Sequence, residues 1–419
     1  MKRVRTMSDL RGLSRLAVEA TVAMTDLVEE VHRSVTTVPE VGAPDPARRK
    51  RMRGITGFVY RTIRQITHWV GHSVDGGLAQ LQPLLLTRPA TVPPSTVPVS
   101  PHRDSVLAAL NGVLGDHLAA TGNPLAIPMA FRRSGRVLEP RQEKRSRILL
   151  LVHGLCRSDL QWLRKGHDHG ASLAAELALT PVYLHYNSGR AIATNGRELA
   201  MRLEALVADW GEPLREIIVV AHSMGGLVMR SACHVAEDDA LAWRAKLRQI
   251  VFLGTPHQGA PLERGGNWVT LALDRSTYTA AFARLGRIRS AGITDLRYGQ
   301  VTPLRASDRF APDSGHREVV PLPQGVACYA VAATLAKGPA PVPTVGALAT
   351  AKAVLGDGLV PLASALGDDA DPARRLAIPE SHRLIAYGTS HLDLLDRPEV
   401  CEQIARWLAE PALVPLATL

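Results

Sequence analysis

Residues 217–230 read Ile-Ile-Val-Val-Ala-His-Ser-Met-Gly-Gly-Leu-Val-Met-Arg. An apolar run of strand type ends at Val220, a serine follows between small residues, and helix-forming residues start at once. This strand–turn–helix pattern lifts a serine hydroxyl onto a tight turn, where Ser223 would act as a nucleophile toward a carbonyl carbon. Ala221 and Gly225 are small enough to flank such a turn, although Ala221 stands where glycine is usual. The helix that begins after Ser223 directs its free N–H groups and positive dipole end at the reacting oxygen.

A serine hydroxyl attacks poorly unless a histidine takes its proton and a carboxylate orients that histidine. With a serine in this context, the acid and then the histidine follow along the chain. The base is expected at His391, in Gly388-Thr389-Ser390-His391-Leu392-Asp393, directly after the last apolar run. The acid is expected at Asp357, where Gly356-Asp357-Gly358 makes a tight turn, with Asp368, Asp369 and Asp371 as alternatives. Asp357 also admits the plainer role of a turn aspartate that binds its own backbone. The run Ile148–Val152 ends in His153-Gly154-Leu155, where glycine lets the next amide face the serine. The N–H groups of Leu155 and Met224 would then form an oxyanion hole. His153 is expected to support that loop, Cys156 to pack, and His222 and His257 to be structural neighbours of the site.

These residues must be held by a sheet. Apolar runs at 148–152, 182–184, 217–220, 250–253, 327–331 and 384–387 alternate, in the early part, with helical patterns near 171–178, 194–209 and 224–236. Short, wholly apolar strands alternating with helices indicate an α/β architecture: a mostly parallel sheet with helices on both faces and chemistry at the strands' carboxyl ends. The expected catalytic domain spans 103–419, with a helix over about 104–120 and a hairpin near Ser134-Gly135. A cap insertion is expected near 260–322, where Trp268, Leu271 and Phe282 are candidates for contacting substrate. Residues 1–87 predict a helical hairpin, its first stripe running through Leu10, Leu13, Ala17 and Ala20 and its second through Ile55, Val59, Ile63 and Ile66. These stripes would pack on each other or on the neighbouring domain, or rest on a membrane. The Pro-rich stretch 88–102 reads as a stiff linker.

The 419 residues, 46% hydrophobic and 21% charged, suit a soluble globular protein with a sizeable core. The net charge is +10, and residues 1–145 hold 21 Lys and Arg against 12 Asp and Glu. A basic flank favours anionic surfaces, and it also serves solubility alone. No nucleic-acid-binding motif accompanies it, so no nucleic-acid partner is expected. Four separated cysteines (Cys156, Cys233, Cys328, Cys401) without a CxxC pair suggest buried thiols in a reducing compartment. Asp9 and Glu19 interrupt any signal-like apolar start, and no run is long enough to span a membrane. The expected location is cytoplasmic, with peripheral membrane contact through the N-terminal helices as the sharper alternative.

Taken together, His153-Gly154-Leu155, Ala221–Gly226, Gly254-Thr255-Pro256-His257, Asp357-Gly358 and His391-Leu392-Asp393 resemble the α/β-hydrolase lipases and esterases. The bacterial lipase and GPI inositol-deacylase-like branch is the most similar. The resemblance covers roughly residues 105–410, with five motifs in family order, and leaves the first hundred residues uncovered. It implies the α/β-hydrolase fold and cleavage of carboxylic esters, of small molecules or lipids, through an acyl-enzyme on Ser223, His391 and Asp357. No metal or organic cofactor is implied for the chemistry. In secreted bacterial lipases an aspartate at the position of Asp393 binds structural calcium, but here a capping or salt-bridging Asp393 is the leading expectation. An acyltransferase or thioesterase would use the same residues. A non-enzymatic lipid-binding protein on this scaffold would lack a triad member, and none is missing.

Overall fold

The computed structural model describes residues 8–22, 25–26, 64–67, 69, 72, 75–76, 101–260, 290–303, 318–338 and 356–410. Chain contacts divide the molecule into two compact units, one of residues 1–98 with 121–125 and one of residues 99–120 with 126–419.

The larger unit carries an eight-stranded sheet in the order β2-β1-β4-β3-β5-β6-β7-β8. Its strands are β1 (Ala130–Arg133), β2 (Arg136–Val137), β3 (Arg147–Val152), β4 (Thr180–His185), β5 (Glu216–His222), β6 (Leu247–Leu253), β7 (Ala327–Thr334) and β8 (Arg383–Tyr387). β1 runs antiparallel to both of its neighbours, β2 and β4. Every other pairing is parallel. The described helices are α1 (Pro101–Ala120), α2 (His169–Glu176), α3 (Ile192–Asp209), α4 (Met224–Asp238), α5 (Ala291–Tyr298), α6 (Leu362–Leu366) and α7 (Pro398–Ala409). This is the mostly parallel, helix-covered sheet that the apolar runs predict.

The strands read as unbroken apolar runs because both of their faces are covered. Leu149, Leu151, Ile218, Val220, Val251 and Leu253 join Leu173 of α2 and Ile404 and Trp407 of α7 in one core. The alternate residues Ile148, Leu150, Ile217, Val219, Ile250 and Phe252 are equally buried. On that second face α4 approaches closely: a Cβ on Gly226 would lie 2.9 Å from Phe252 Cδ1 and 2.1 Å from Thr255 Oγ1. Each such aliphatic or aromatic side chain, once buried, stabilises the fold by roughly 1.5–3 kcal/mol. The rigid frame that results fixes where the loops at the strands' carboxyl ends must meet.

In the smaller unit, residues 8–22 are helical and so are the described residues of 64–76. Arg11 and Arg15 both bind Asp75, at 3.0 and 2.8 Å, while Arg64 binds Asp26 at 2.7 Å. These pairings set the two segments antiparallel. Hydrogen bonds from Arg15 and Arg11 hold the Asp75 carboxyl down to about 2. The packed face differs from the expected one. Leu10, Leu13, Ala17 and Ala20 are exposed, as is Ile66, whereas Gly12 and Leu16 are buried. The 11/12/15/16 face turns inward, with Arg11 and Arg15 sharing Asp75. Residues 88–100 of the expected Pro-rich linker lie outside the described residues, and Pro101 and His102 already belong to α1.

Candidate active site

β5 ends at His222 and α4 begins at Met224, leaving Ser223 alone between them with φ 55° and ψ −127°. A non-glycine residue in this region is strained, and strain of this kind collects at functional turns. The turn persists because its surroundings over-determine it. Ser223 N–H donates to Leu253 O at 2.8 Å. A Cβ on Gly225 would stand 2.5 Å from Val152 O and 2.7 Å from His153 O, so only glycine lets α4 start this close to the end of β3. Ser223 itself is buried.

His391 lies on the loop after β8. Its Nδ1 is 2.6 Å from Asp357 Oδ2, with both side chains buried. Asp357 Oδ1 accepts the N–H groups of Leu359 and Val360 at 2.9 and 2.8 Å. The turn role and the histidine-orienting role therefore coexist, one on each carboxylate oxygen. The imidazole packs on Gly254, where a Cβ would lie 3.0 Å from its Cε1 and 3.1 Å from its Nδ1. Gly254 directly follows the residue whose carbonyl holds the Ser223 amide, so the His391 ring sits beside the serine turn. Behind it, the His222 ring lies 4.7 Å away and its Nε2 is 3.2 Å from His391 O. Burial pushes His222 well below its ordinary value, leaving it a neutral prop. Asp368, Asp369 and Asp371 are not at the site. Asp368 binds Arg383, Asp369 accepts Asp371 N–H, and Asp371 caps Ala373.

The loop after β3 reaches the serine from the other side. A Cβ on Gly154 would lie 2.8 Å from Ser223 Cβ and 3.2 Å from His222 Nδ1. The N–H groups of Leu155 and Met224 donate to no described residue. His153 stacks on Tyr186 with ring centroids 4.3 Å apart, and Tyr186 Oη donates to His153 O at 2.8 Å. Burial holds the His153 imidazole down to about 3, so it is neutral at ordinary pH, in keeping with a supporting role. Cys156 N–H donates to Ser188 Oγ at 3.0 Å, and burial raises its thiol to about 12. The Cys156 side chain packs on α1, where a Cβ at Gly112 would collide with its Sγ at 2.1 Å. His257 meets the Phe252 ring edge-on and is also forced neutral, by burial and by Arg230.

Several contributors escaped the sequence reading. Tyr186 and Ser188, just after β4, hold the loop after β3 through His153 O and Cys156 N–H, while Asn187 Nδ2 donates to Gly115 O of α1 at 2.8 Å. Their position just past a strand's carboxyl end was the one available signal. Asp393 is salt-bridged: Arg164 and Lys165 stand 3.3 and 3.2 Å away and Ser390 Oγ donates to it at 2.5 Å. Burial would raise its carboxyl, but Ser390 and Lys165 outweigh that and hold it at about 2. Trp268, Leu271 and Phe282 lie outside the described residues. The described part of the insertion is tied down: Ser290 Oγ donates to Gly112 O at 2.7 Å and Asp295 accepts Ile192 N–H at 2.8 Å.

A parallel sheet edged by an antiparallel hairpin, with a strained serine turn after β5, is the α/β-hydrolase fold. Residues 128–297 match the model of a domain of unknown function, DUF7379. No curated protein matches the sequence. Among solved structures, the chain is similar to the mature lipase BlEst2 of Bacillus licheniformis, with 18% identity, 67% of this chain and 97% of that one covered, and a TM-score of 0.40. It is similar to an esterase of Pyrobaculum calidifontis at 13% identity, covering 74% and 97%, with a TM-score of 0.35. The Staphylococcus hyicus lipase gives 13% identity, 65% and 96% coverage, and a TM-score of 0.35.

Proposed function

We propose that the chain is a serine hydrolase of carboxylic esters. The observation that carries this reading is the buried, aligned hydrogen bond from His391 to Asp357, on a ring packed against Gly254 beside the strained Ser223 turn. Ser223 Oγ gives its proton to His391 and attacks the ester carbonyl carbon. Asp357 stabilises the imidazolium, and the amides of Leu155 and Met224 stabilise the oxyanion. The alcohol leaves with the proton from His391. Water, deprotonated by His391, then releases the acid. Each step uses protein groups and water alone.

The substrate is a small-molecule or lipid ester. Among the described residues no helix is long and apolar enough to cross a membrane. Peripheral contact with anionic membrane is assigned to the N-terminal helices, whose Leu10, Leu13 and Trp69 are exposed beside a strongly basic sequence. Ser223→Ala should lose at least about 10⁴-fold in kcat on a p-nitrophenyl ester, with an unchanged circular dichroism spectrum. Full activity of that variant would end the proposal. An acyltransferase or thioesterase would use the same groups, and competition between water and an added alcohol for the acyl group separates them.

A further inference from the structure

A second cluster lies at the start of α2. His167 Nε2 is 2.7 Å from His169 Nδ1. Cys401 of α7 completes a set whose donor atoms all lie within 4.8 Å of one another. His169 and Cys401 are buried and His167 is half-buried, so the cluster has a solvent side.

Proton placement in this cluster follows from its partners. His169 Nε2 faces the carbonyl oxygen of Leu394 at 2.8 Å. A carbonyl only accepts, so His169 Nε2 carries the hydrogen. With its hydrogen on Nε2, the neutral ring keeps a lone pair on Nδ1, 2.7 Å from His167 Nε2. A ring nitrogen fixed this way by a backbone carbonyl is the arrangement that metal-binding histidines use to present the other nitrogen. Two imidazoles and a thiol form a borderline-soft donor set, which selects zinc-like ions over calcium or magnesium.

We propose that His167, His169 and Cys401 form a site for a zinc-class divalent cation, joining α2 and α7 to the loop that carries His391. The Cys401 thiol loses its proton to solvent as the metal–sulfur bond forms. His167 and His169 bind as neutral rings, with the His167 proton moving to Nδ1, so one proton leaves per metal bound. The fourth position is open to water. Leu394, whose carbonyl orients His169, lies three residues beyond His391, so the ion would stiffen that loop without touching the reacting atoms.

The test uses the full chain, reduced and stripped of metal by a chelator. Equilibrium dialysis against Zn²⁺ should give one tightly bound ion per chain and a raised Tm. Co²⁺ should give a thiolate-to-metal charge-transfer band, and millimolar Ca²⁺ or Mg²⁺ should displace neither ion. Cys401→Ser and His167→Ala should each weaken binding by at least tenfold and abolish or shift the band. Cys233→Ser and Cys328→Ser should leave it unchanged. Absence of Zn²⁺ binding by the folded wild-type chain, or binding unaltered in both Cys401→Ser and His167→Ala, would overturn the assignment. Neither result depends on the ester-hydrolase reading.

Discussion

Two buried histidine–aspartate pairs sit at the carboxyl edge of this sheet. His391 Nδ1 is 2.6 Å from Asp357, and His185 Nδ1 is 2.7 Å from Asp159. Separation and burial barely distinguish them, yet their surroundings do. The first contact is a hydrogen bond, and the second is an equally close pairing of His185 with Asp159. Asp357 is otherwise held by two backbone amides, while Asp159 also faces the Arg132 guanidinium at 3.4 Å. A carboxylate already balanced by arginine has less left to offer an imidazolium. Above all, the His391 ring lies against Gly254 beside the serine turn. A close histidine–aspartate contact is thus a structural motif first. The proposed chemistry asks for more than the pair: a serine and backbone amides placed beside the histidine.

The sharpest way to break this contrast is to neutralise each aspartate in turn. Asp357→Asn should lower kcat about 10⁴-fold, since the amide imposes the wrong imidazole tautomer while the turn survives. The check is ester kinetics together with an unchanged Tm. Gly154→Ala should come next, at about 10²-fold in kcat, because a methyl 2.8 Å from Ser223 Cβ displaces the serine or the facing loop. Titration of active sites with a fluorophosphonate probe would reveal that displacement as slower labelling. Wild-type labelling rates would mean that the two loops have more slack than their contacts imply.

Asp159→Asn should leave kcat nearly unchanged and instead destabilise the fold by about 1–3 kcal/mol, read by urea unfolding. Burial pushes the Asp159 carboxyl up, but His185 and Arg132 outweigh it and hold it below its ordinary value. Its contribution is therefore complete above the usual carboxylate range, near 3.9, and is lost as the pH falls below it. The variant should show a shallower acid limb of stability than wild type. If kcat collapsed instead, the second pair would belong to the chemistry and the contrast would fail. The smallest effect is expected of Arg164→Ala, which removes a half-exposed bond to Asp393 and Asp396 below the His391 loop. About 1 kcal/mol of stability should be lost, with KM unaltered.

Much of the site was legible in the chain. Strand–turn–helix around Ser223, glycine after His153 and histidine after the last strand are local patterns, and each is realised locally. The Asp-Gly turn favours Asp357, but Asp368, Asp369 and Asp371 sit on the same stretch with similar turn chemistry. What separates them is which carboxylate faces His391, a contact made by folding and not by neighbours in sequence. The helical hairpin shows the reverse case. The 3.6-residue period predicts the helix well, yet the Leu10–Leu13 stripe faces outward and the face on which Arg11 and Arg15 share Asp75 turns in.

By itself, then, the sequence determined the strands, their helical covering and the serine turn, because hydrophobic period and small-residue spacing act through covalent neighbours. Only the tertiary structure decided which aspartate meets His391, which face of the first helix is buried, and that His185 has an aspartate of its own. Those outcomes depend on pair contacts between distant segments, whose energies are comparable for several candidate partners until the packed sheet fixes the distances.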